Sequence, residues 1–186
     1  MRILGIDPGS NATGYGVVCV EGSSLRRLGG GTIRTRGETL GARLAHLQRE
    51  LERVIAELAP DAAALESVFS ARNVRSALVL GHARGVALAA CAFAGLETGE
   101  YAPAQVKVAV TGYGRAEKLQ VMRMVQRLLG LTEPPKTDEA DALAIAVCHG
   151  LSRRSAGRVP ARSSDGRSAG RVPARSSGGS SLESPR

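Results

Sequence analysis

Aromatic residues and cysteines are scarce in this chain of 186 residues. It contains no tryptophan, three tyrosines and two phenylalanines, so any core has to be built mainly from aliphatic side chains. The three cysteines, Cys19, Cys91 and Cys148, lie in separate apolar stretches without paired spacing. This distribution argues against a disulfide framework and predicts reduced core cysteines in a reducing compartment.

Long hydrophobic runs are absent as well. The longest, residues 86–94, is far shorter than the roughly 20 residues that span a bilayer. No basic and apolar leader precedes the first predicted strand, because Arg2 leads directly into it, so we expect a cytoplasmic protein that is not secreted. The apolar content of 43% is typical of a soluble globular protein.

Positive charge is concentrated at one end of the chain. The net charge is +8, and residues 151–186 hold +6 of it, from eight arginines and two acids. The rest of the chain is therefore nearly balanced, and the overall charge says little about its chemistry.

A repeated phrase marks the same end of the chain. The eleven residues Arg-Ser-Ala-Gly-Arg-Val-Pro-Ala-Arg-Ser-Ser occur at 154–164 and again at 167–177. This composition cannot bury a core, so we predict a folded domain at 1–152 followed by a disordered, low-complexity tail at 153–186.

The order of predicted elements is that of an α/β domain. Apolar patterning predicts strands at residues 3–7, 14–20, 25–36, 61–66 and 97–102, and helices at 38–58, 71–94, 103–110, 116–129 and from 137 onward. The strand at 61–66 follows a crossover helix, so it should lie parallel to the first strand and beside it.

Two of these strands end in a carboxylate. Asp7 ends the first strand and Glu66 ends the strand at 61–66. Adjacent parallel strands place their carboxyl ends on the same edge of a sheet. Two carboxylates brought together there need a cation, although Asp7 beside Pro8 and Gly9 is also compatible with a simple turn-capping role.

The last helix begins with further acids. Asp138 and Asp141 are three residues apart and share a face, whereas Glu139 points elsewhere. Acids in the first turn also suit the helix dipole, which by itself accounts for one or two of them. We expect Asp138 and Asp141 to complete a site with the two strand-end acids.

Oxygen ligands alone favour Mg²⁺ or Mn²⁺ over zinc. Two such ions about 4 Å apart can activate water and stabilise the leaving oxygen of a phosphodiester. The histidines offer no alternative site: His46 is predicted on the exposed face of its helix, and His82 and His149 lie in later helices as structural or solvated residues.

The helix at 71–94 is rich in small residues and apolar nearly all round in its second half. It must therefore be covered on more than one side. A second copy of the chain and burial within one subunit both remain open as the source of that cover.

Several motifs occur in order along the chain: Gly-Ile-Asp-Pro-Gly-Ser at 5–10, Glu-Ser-Val-Phe at 66–69 with Asn73 and Ser76-Ala77, Gly-His-Ala-Arg-Gly-Val at 81–86, Gln-Val-Lys at 105–107, Ala-Glu-Lys-Leu-Gln-Val at 116–121, and Asp-Glu-Ala-Asp-Ala-Leu-Ala-Ile-Ala at 138–146. Together they closely resemble the RuvC family of bacterial Holliday-junction resolvases. The resemblance covers about residues 1–150.

The resemblance implies an α/β, RNase H-like fold with a five-stranded mixed sheet flanked by helices on both faces. It implies a homodimer that nicks opposing strands of a four-way DNA junction symmetrically, in recombination and repair. It further implies two Mg²⁺ per subunit, replaceable by Mn²⁺, and a branch-migration motor complex, RuvA and RuvB, as partner.

It also assigns residues to roles. The catalytic, metal-binding carboxylates would be Asp7, Glu66, Asp138 and Asp141, with Lys107 and Lys118 near the scissile phosphate and Phe69, Arg72 and Asn73 also on the DNA. Stacking of Phe69 on an unstacked base would contribute roughly 1–3 kcal/mol. The competing interpretations are ordinary surface lysines and a core phenylalanine.

Departures from the family pattern and rival functions remain. His82 replaces a common glutamine, Val79-Leu80 replaces a pair that is often basic and apolar, and the arginine-rich tail has no counterpart. The alternatives are an actin-like phosphotransferase, for which a second domain and phosphate loop are missing, a non-catalytic junction-binding protein, and an RNase H-like nuclease with another substrate.

Overall fold

The structure is a computed structural model that describes residues 1–9, 11–67 and 74–156. Its elements in chain order are β1 (Arg2–Asp7), β2 (Ala12–Glu21), β3 (Ser24–Arg34), α1 (Leu40–Leu58), β4 (Ala62–Glu66), α2 (Val74–Phe93), β5 (Glu97–Tyr101), α3 (Pro103–Thr111), α4 (Lys118–Leu128) and α5 (Thr137–Ala156). Every predicted strand and helix is present, with ends that differ by a few residues.

The five strands form one mixed sheet in the order β3-β2-β1-β4-β5. Strand β2 pairs with both β1 and β3 in antiparallel fashion, whereas β1 pairs with β4, and β4 with β5, in parallel. The prediction that β4 lies parallel to β1 and beside it is therefore confirmed. Helix α1 is the crossover that makes this arrangement possible.

Helices cover both faces of the sheet, as predicted. One aliphatic cluster lies between the sheet and α3, α4 and α5, and the other lies between the sheet and α1 and α2. Cys19, Cys91 and Cys148 are all buried and free. The cores thus depend on branched aliphatic residues and alanine, as the scarcity of aromatic residues requires.

Helix α5 lies unusually close to β1 and β2. A Cβ atom added at Gly5 would lie 2.0 Å from the carbonyl oxygen of Ala142, and one added at Gly14 would lie 2.0 Å from that of Asp138. Only glycine, which has no Cβ atom, permits this close approach. The glycines of the sheet therefore determine where the first turns of α5 lie.

Helix α2 leaves much of its apolar surface uncovered within one chain. Leu78 is 60% exposed and Phe93 is 86% exposed. By length and composition alone, Ser76–Phe93 also qualifies as a candidate membrane span, with 22% of that stretch buried in the chain. The predicted cover on more than one side is not supplied by the described part of a single subunit.

The histidines differ in their surroundings. His46 was predicted to be exposed, and this prediction is wrong: the residue is half-buried where α1 meets the sheet, and its Nδ1 atom is buried without a hydrogen-bond partner. His82 is exposed on α2. His149 is buried, with its Nδ1 atom 2.9 Å from the hydroxyl of Tyr101.

Candidate active site

The ends of the two central parallel strands bring two carboxylates together. Ile6 of β1 is in register with Leu65 of β4. Asp7 and Glu66 are the next residues of the two strands and end them at the same level of the sheet. The expectation that both acids share one edge is therefore confirmed, and it follows directly from the parallel pairing.

The first turns of α5 bring the third acid to this edge. Asp141 lies on the side of α5 that faces the strand ends, in the same cavity as Asp7 and Glu66. Glu139 points away, as predicted: it is 7% exposed and accepts a 2.6 Å hydrogen bond from Nε of Arg27. Glu139 therefore joins α5 to β3 by a partly buried ion pair.

A cavity of about 360 Å³ contains the candidate residues. Its polar wall consists of Asp7, Glu66, Asp141, Lys107 and Lys118. Apolar residues of α3, α4 and α5 form the remainder: Pro103, Val106, Val121, Ala144 and Ile145. The structure thus brings five of the six predicted catalytic residues into one cavity.

Asp138 is the sixth and does not line this cavity. It lies one helical turn before Asp141, and its negative charge contributes to raising the pKa of Asp7. It is therefore close enough to act electrostatically on the site.

Burial and mutual repulsion disfavour negative charge in the cavity. Burial, and then the charges of Glu66 and Asp141, raise the pKa of Asp7 from 3.8 to about 7, against the opposing effect of Lys118. Burial, and then Asp141, also raise the pKa of Glu66, against Lys118 and Lys107. The carboxylates therefore lack sufficient positive charge as they stand.

Lys118 supplies part of that charge. Its Nζ atom lies 2.5 Å from Oδ2 of Asp141. Burial alone would lower the pKa of Lys118, but the hydrogen bond and the charge of Asp141 outweigh this effect and raise it. The ammonium group is thus held in its charged form beside the carboxylates.

The donor set fits a hard divalent cation in chemistry. Asp7, Glu66 and Asp141 offer only oxygen atoms, the ligands that Mg²⁺ and Mn²⁺ prefer. Within residues 1–9, 11–67 and 74–156, no three acidic, histidine or cysteine side chains are arranged as ligands of one ion. Because Lys118 is paired with Asp141, this contact would have to loosen before a metal could bind there.

Three predicted DNA-binding residues, Phe69, Arg72 and Asn73, lie outside the described residues. Their predicted roles stay predictions.

The sequence analysis did not identify Arg84 as a residue that contacts the backbone of Glu66. Arg84 of α2 places Nε 3.5 Å from the backbone oxygen of Glu66, and one of its terminal nitrogens lies 2.5 Å from Oε2 of Glu100 on β5. Arg84 belongs to one of the motifs that carry the family resemblance, but nothing in its spacing shows that it reaches the end of β4.

A mixed sheet of this order, with acids on the ends of its two central parallel strands and on the helix that closes over them, defines an RNase H-like protein. Comparison with known proteins narrows this class. The family profile described as crossover junction endodeoxyribonuclease RuvC matches residues 3–149.

Individual relatives agree with the family match. The crossover junction endodeoxyribonuclease RuvC of Hahella chejuensis is 50% identical over 164 residues, which cover 88% of this chain and 95% of the relative. The Thermus thermophilus RuvC structure has a TM-score of 0.78 and 38% identity over 84% of this chain and 97% of its own. A second structure, of T. thermophilus RuvC in complex with Holliday junction substrate, has a TM-score of 0.76 and 36% identity over 83% and 96% of the two chains.

The chain therefore belongs to the crossover junction endodeoxyribonuclease RuvC family. The fold predicted from the sequence is confirmed by the sheet and by these structural matches.

Proposed function

We propose that this protein is a DNA endonuclease that resolves Holliday junctions by paired, symmetric nicks in opposing strands. The observation that carries the proposal is the cavity in which Asp7, Glu66 and Asp141 meet Lys107 and Lys118. Acids that hold a cation and lysines that hold a phosphate are the groups that phosphodiester hydrolysis requires. Family membership supports the four-way junction as substrate.

The two lysines of the cavity have a different role from its acids. Lys107 and Lys118 reach it from α3 and α4, on one side of the carboxylates. We assign them to the scissile phosphate, where an ammonium group offsets the charge that develops in the transition state.

We propose Mg²⁺ as the cofactor, two ions per subunit, with Mn²⁺ as a substitute. Asp7, Glu66, Asp138 and Asp141 would hold the ions. Bound metal would supply an activated water and stabilise the leaving oxygen. The raised pKa of Asp7 supports this assignment, because a cation is what such a carboxylate lacks.

The test of the activity compares three substrates in Mg²⁺: a four-way junction, a linear duplex of the same sequence and an RNA–DNA hybrid. We expect strong preference for the junction and nicks at equivalent positions in two opposing strands. Equal cutting of the duplex or the hybrid would point to an RNase H-like nuclease of another specificity. Binding without any cutting would support a non-catalytic junction-binding protein.

We propose that the protein acts as a homodimer and that α2 forms the interface. Most of the exposed positions of α2 lie on one side of the helix: Ala77, Leu78, Gly81, His82, Gly85, Ala92 and Phe93. Such an apolar surface is costly in water and suits a second copy. Two sites related by symmetry also explain how both opposing strands would be nicked.

Sedimentation tests the dimer. The wild type should sediment at twice the chain mass of 19.3 kDa, and Phe93→Glu should shift it towards the monomer. Val108→Glu is the control, because Val108 is an exposed apolar residue of α3, 52% accessible. A monomeric wild type would contradict the proposal.

We further propose a cytoplasmic location and assembly with the branch-migration motor, RuvA and RuvB. The three free, buried cysteines support the location, because disulfides are rare in the cytoplasm. Cell fractionation tests it, since membrane insertion of α2 would place the protein with the membranes. Co-purification with junction-bound RuvA and RuvB tests the assembly, and a failure to associate in the presence of junction DNA would contradict it.

A further inference from the structure

A second groove opens at the same edge of the sheet, on the opposite face from Lys107 and Lys118. It measures about 290 Å³ and lies between β3 and α1. Its lining residues are Tyr15, Thr32, Ile33, Arg34, Arg36, His46, Glu50 and Arg53. We call this the β3–α1 groove. None of its residues has been given a role so far.

The groove carries positive charge that the described residues do not neutralise. Arg34 and Arg36 are exposed, and neither has an ion-pair partner within residues 1–9, 11–67 and 74–156. The acid that lines the groove, Glu50, is already 3.1 Å from a terminal nitrogen of Arg53. Arg34 and Arg36 are therefore available to an external anion.

Hydrogen bonds fix the two arginines to the active-site edge. Thr35 stands between them, and both its backbone N–H and its hydroxyl donate to the backbone oxygen of Asn11, each over 3.1 Å. A nearby guanidinium, that of Arg43, donates to the side-chain oxygen of Asn11 over 3.3 Å. The segment is thus held in place beside the start of β2.

Strand pairing gives the distance from the catalytic cavity. Asp7 is opposite Gly14, and Gly14 is opposite Thr32, so Thr32 lies two strands away from Asp7. Two strand spacings amount to roughly 10 Å. That distance corresponds to the rise of about three base pairs along the axis of a duplex, at about 3.4 Å each.

We propose that the β3–α1 groove binds the sugar–phosphate backbone of a duplex DNA arm, a few nucleotides from the phosphate that is cut. The inference rests on the proposed nuclease function. Guanidinium groups match phosphate oxygens in bidentate geometry and remain charged at any working pH. Contacts to the backbone add affinity and orientation without reading sequence.

The experiment compares charge-matched pairs of substitutions in the full chain. The test variant is Arg34→Ala with Arg36→Ala. The control is Arg26→Ala with Arg127→Ala, which removes two exposed arginines at the far end of β3 and at the end of α4. Binding to a labelled junction and to a linear duplex is measured across a salt series, with Ca²⁺ in place of Mg²⁺ to prevent cutting.

We expect the test variant to lower the slope of log affinity against log salt by about 2, since each phosphate contact contributes about 0.9. Its affinity at low salt should fall on the order of ten-fold. The control should keep the wild-type slope. Arg34→Lys with Arg36→Lys should restore most of the slope, and single-turnover cutting of a saturated junction should be unchanged in the control.

The proposed role of the groove would be overturned by an unchanged salt slope in the test variant, or by an equal reduction of the slope in the test variant and the control. The proposed function is read separately, from cutting by the wild type. If the wild type cuts no junction, the proposed nuclease function is wrong. If the test variant then still shows a lower salt slope on duplex DNA, the groove remains a DNA-binding surface.

Discussion

Asp7 is the residue of the cavity whose pKa responds most clearly to its surroundings. It is half-buried at the end of β1, with two other acids in the same cavity and Lys118 as an opposing charge. Its pKa of about 7 means that, without a metal, the carboxyl group carries a proton for about half of the time at neutral pH. A divalent cation would remove that proton and so bind more tightly as pH rises.

The raised pKa of Asp7 predicts a pH-dependent loss of stability in the metal-free protein. Folded Asp7 holds a proton between pH 3.8 and about 7, whereas unfolded Asp7 does not. Stability therefore falls as pH rises through that window. Asp7→Asn should remove this fall, which is worth roughly 4 kcal/mol at most, and should abolish cutting.

Urea denaturation at pH 5 and pH 8 in a chelator measures this effect. Glu38→Gln is the control, since Glu38 is an exposed acid away from the cavity. If the free energy of unfolding depends on pH in the same way in wild type and Asp7→Asn, the neighbours of Asp7 do not raise its pKa. Normal nicking by Asp7→Asn would falsify the site itself.

Lys118 is expected to act on the reacting phosphate as well as on Asp141. Lys118→Gln should slow single-turnover cutting roughly 100-fold, the usual effect of losing one charge-stabilising donor, and should change junction affinity only slightly. Lys118→Arg should recover part of the rate. Lys136→Gln is the matched control, because Lys136 is an exposed lysine outside the cavity. Equal rates in Lys118→Gln and the wild type would return Lys118 to an ordinary surface role.

At the scale of elements, the site depends on how α5 meets the sheet. The carboxylates of β1 and β4 are fixed by strand pairing, whereas Asp138 and Asp141 are positioned by the approach of a helix. Gly14 permits that approach at the first turn of α5. A small change there should therefore affect activity before it affects folding.

Gly14→Ala tests this dependence. The new Cβ would lie 2.0 Å from the carbonyl oxygen of Asp138, so the first turn of α5 has to move away from β2. We expect cutting to fall at least 100-fold, because a shift of about 1 Å in reacting groups costs that much. Gly41→Ala is the control: the position is helical and open, so the change should be neutral or stabilise α1 by up to about 1 kcal/mol.

Cleavage rates and melting temperatures of the two alanine variants provide the comparison. A Gly14→Ala protein that cuts at the wild-type rate would show that α5 can retreat without moving Asp141. A Gly14→Ala protein that fails to fold would be remade in a background stabilised by Gly41→Ala.

At the scale of the whole molecule, the two faces of the sheet have different tasks. The face covered by α3, α4 and α5 carries Lys107 and Lys118, and the other face carries α2 and the β3–α1 groove. The strand ends between them hold the acids. Arg84 connects the two sides, because it reaches from α2 to the end of β4 and to Glu100.

The arginine-rich tail is expected to act through charge alone. Helix α5 extends to Ala156, past the predicted tail boundary at 153, so the deletion starts at residue 157. Residues 157–186 contain six arginines and two acids, so their removal lowers the net charge from +8 to +4. Deleting them should make junction binding less sensitive to salt and leave the cut positions unchanged. Binding across a salt series and sequencing of the products measure both effects. A truncated chain that no longer folds would contradict the assignment of the tail as separate from the domain.

The local signals in the sequence were strong enough to predict the elements and the principal acids. Periodic leucines define α1, and the short apolar run before Asp7 defines β1. Because α1 is a crossover helix, the strand that follows it, β4, has to pair in parallel with β1. That pairing alone brings Asp7 and Glu66 to one edge. These features are local or topological, so a single sequence carries them.

Other features depend on contacts between distant parts of the chain. The burial of His46, the contact of Arg84 with the end of β4, the pairing of Lys118 with Asp141 and the groove around Arg34 and Arg36 follow from how helices pack on the sheet. No periodicity in the sequence encodes such contacts, because each depends on the distance between side chains of separate elements. The sequence by itself determined which residues can do chemistry, and the tertiary structure decided which of them meet and with what charge, since burial and proximity exist only after the helices are packed.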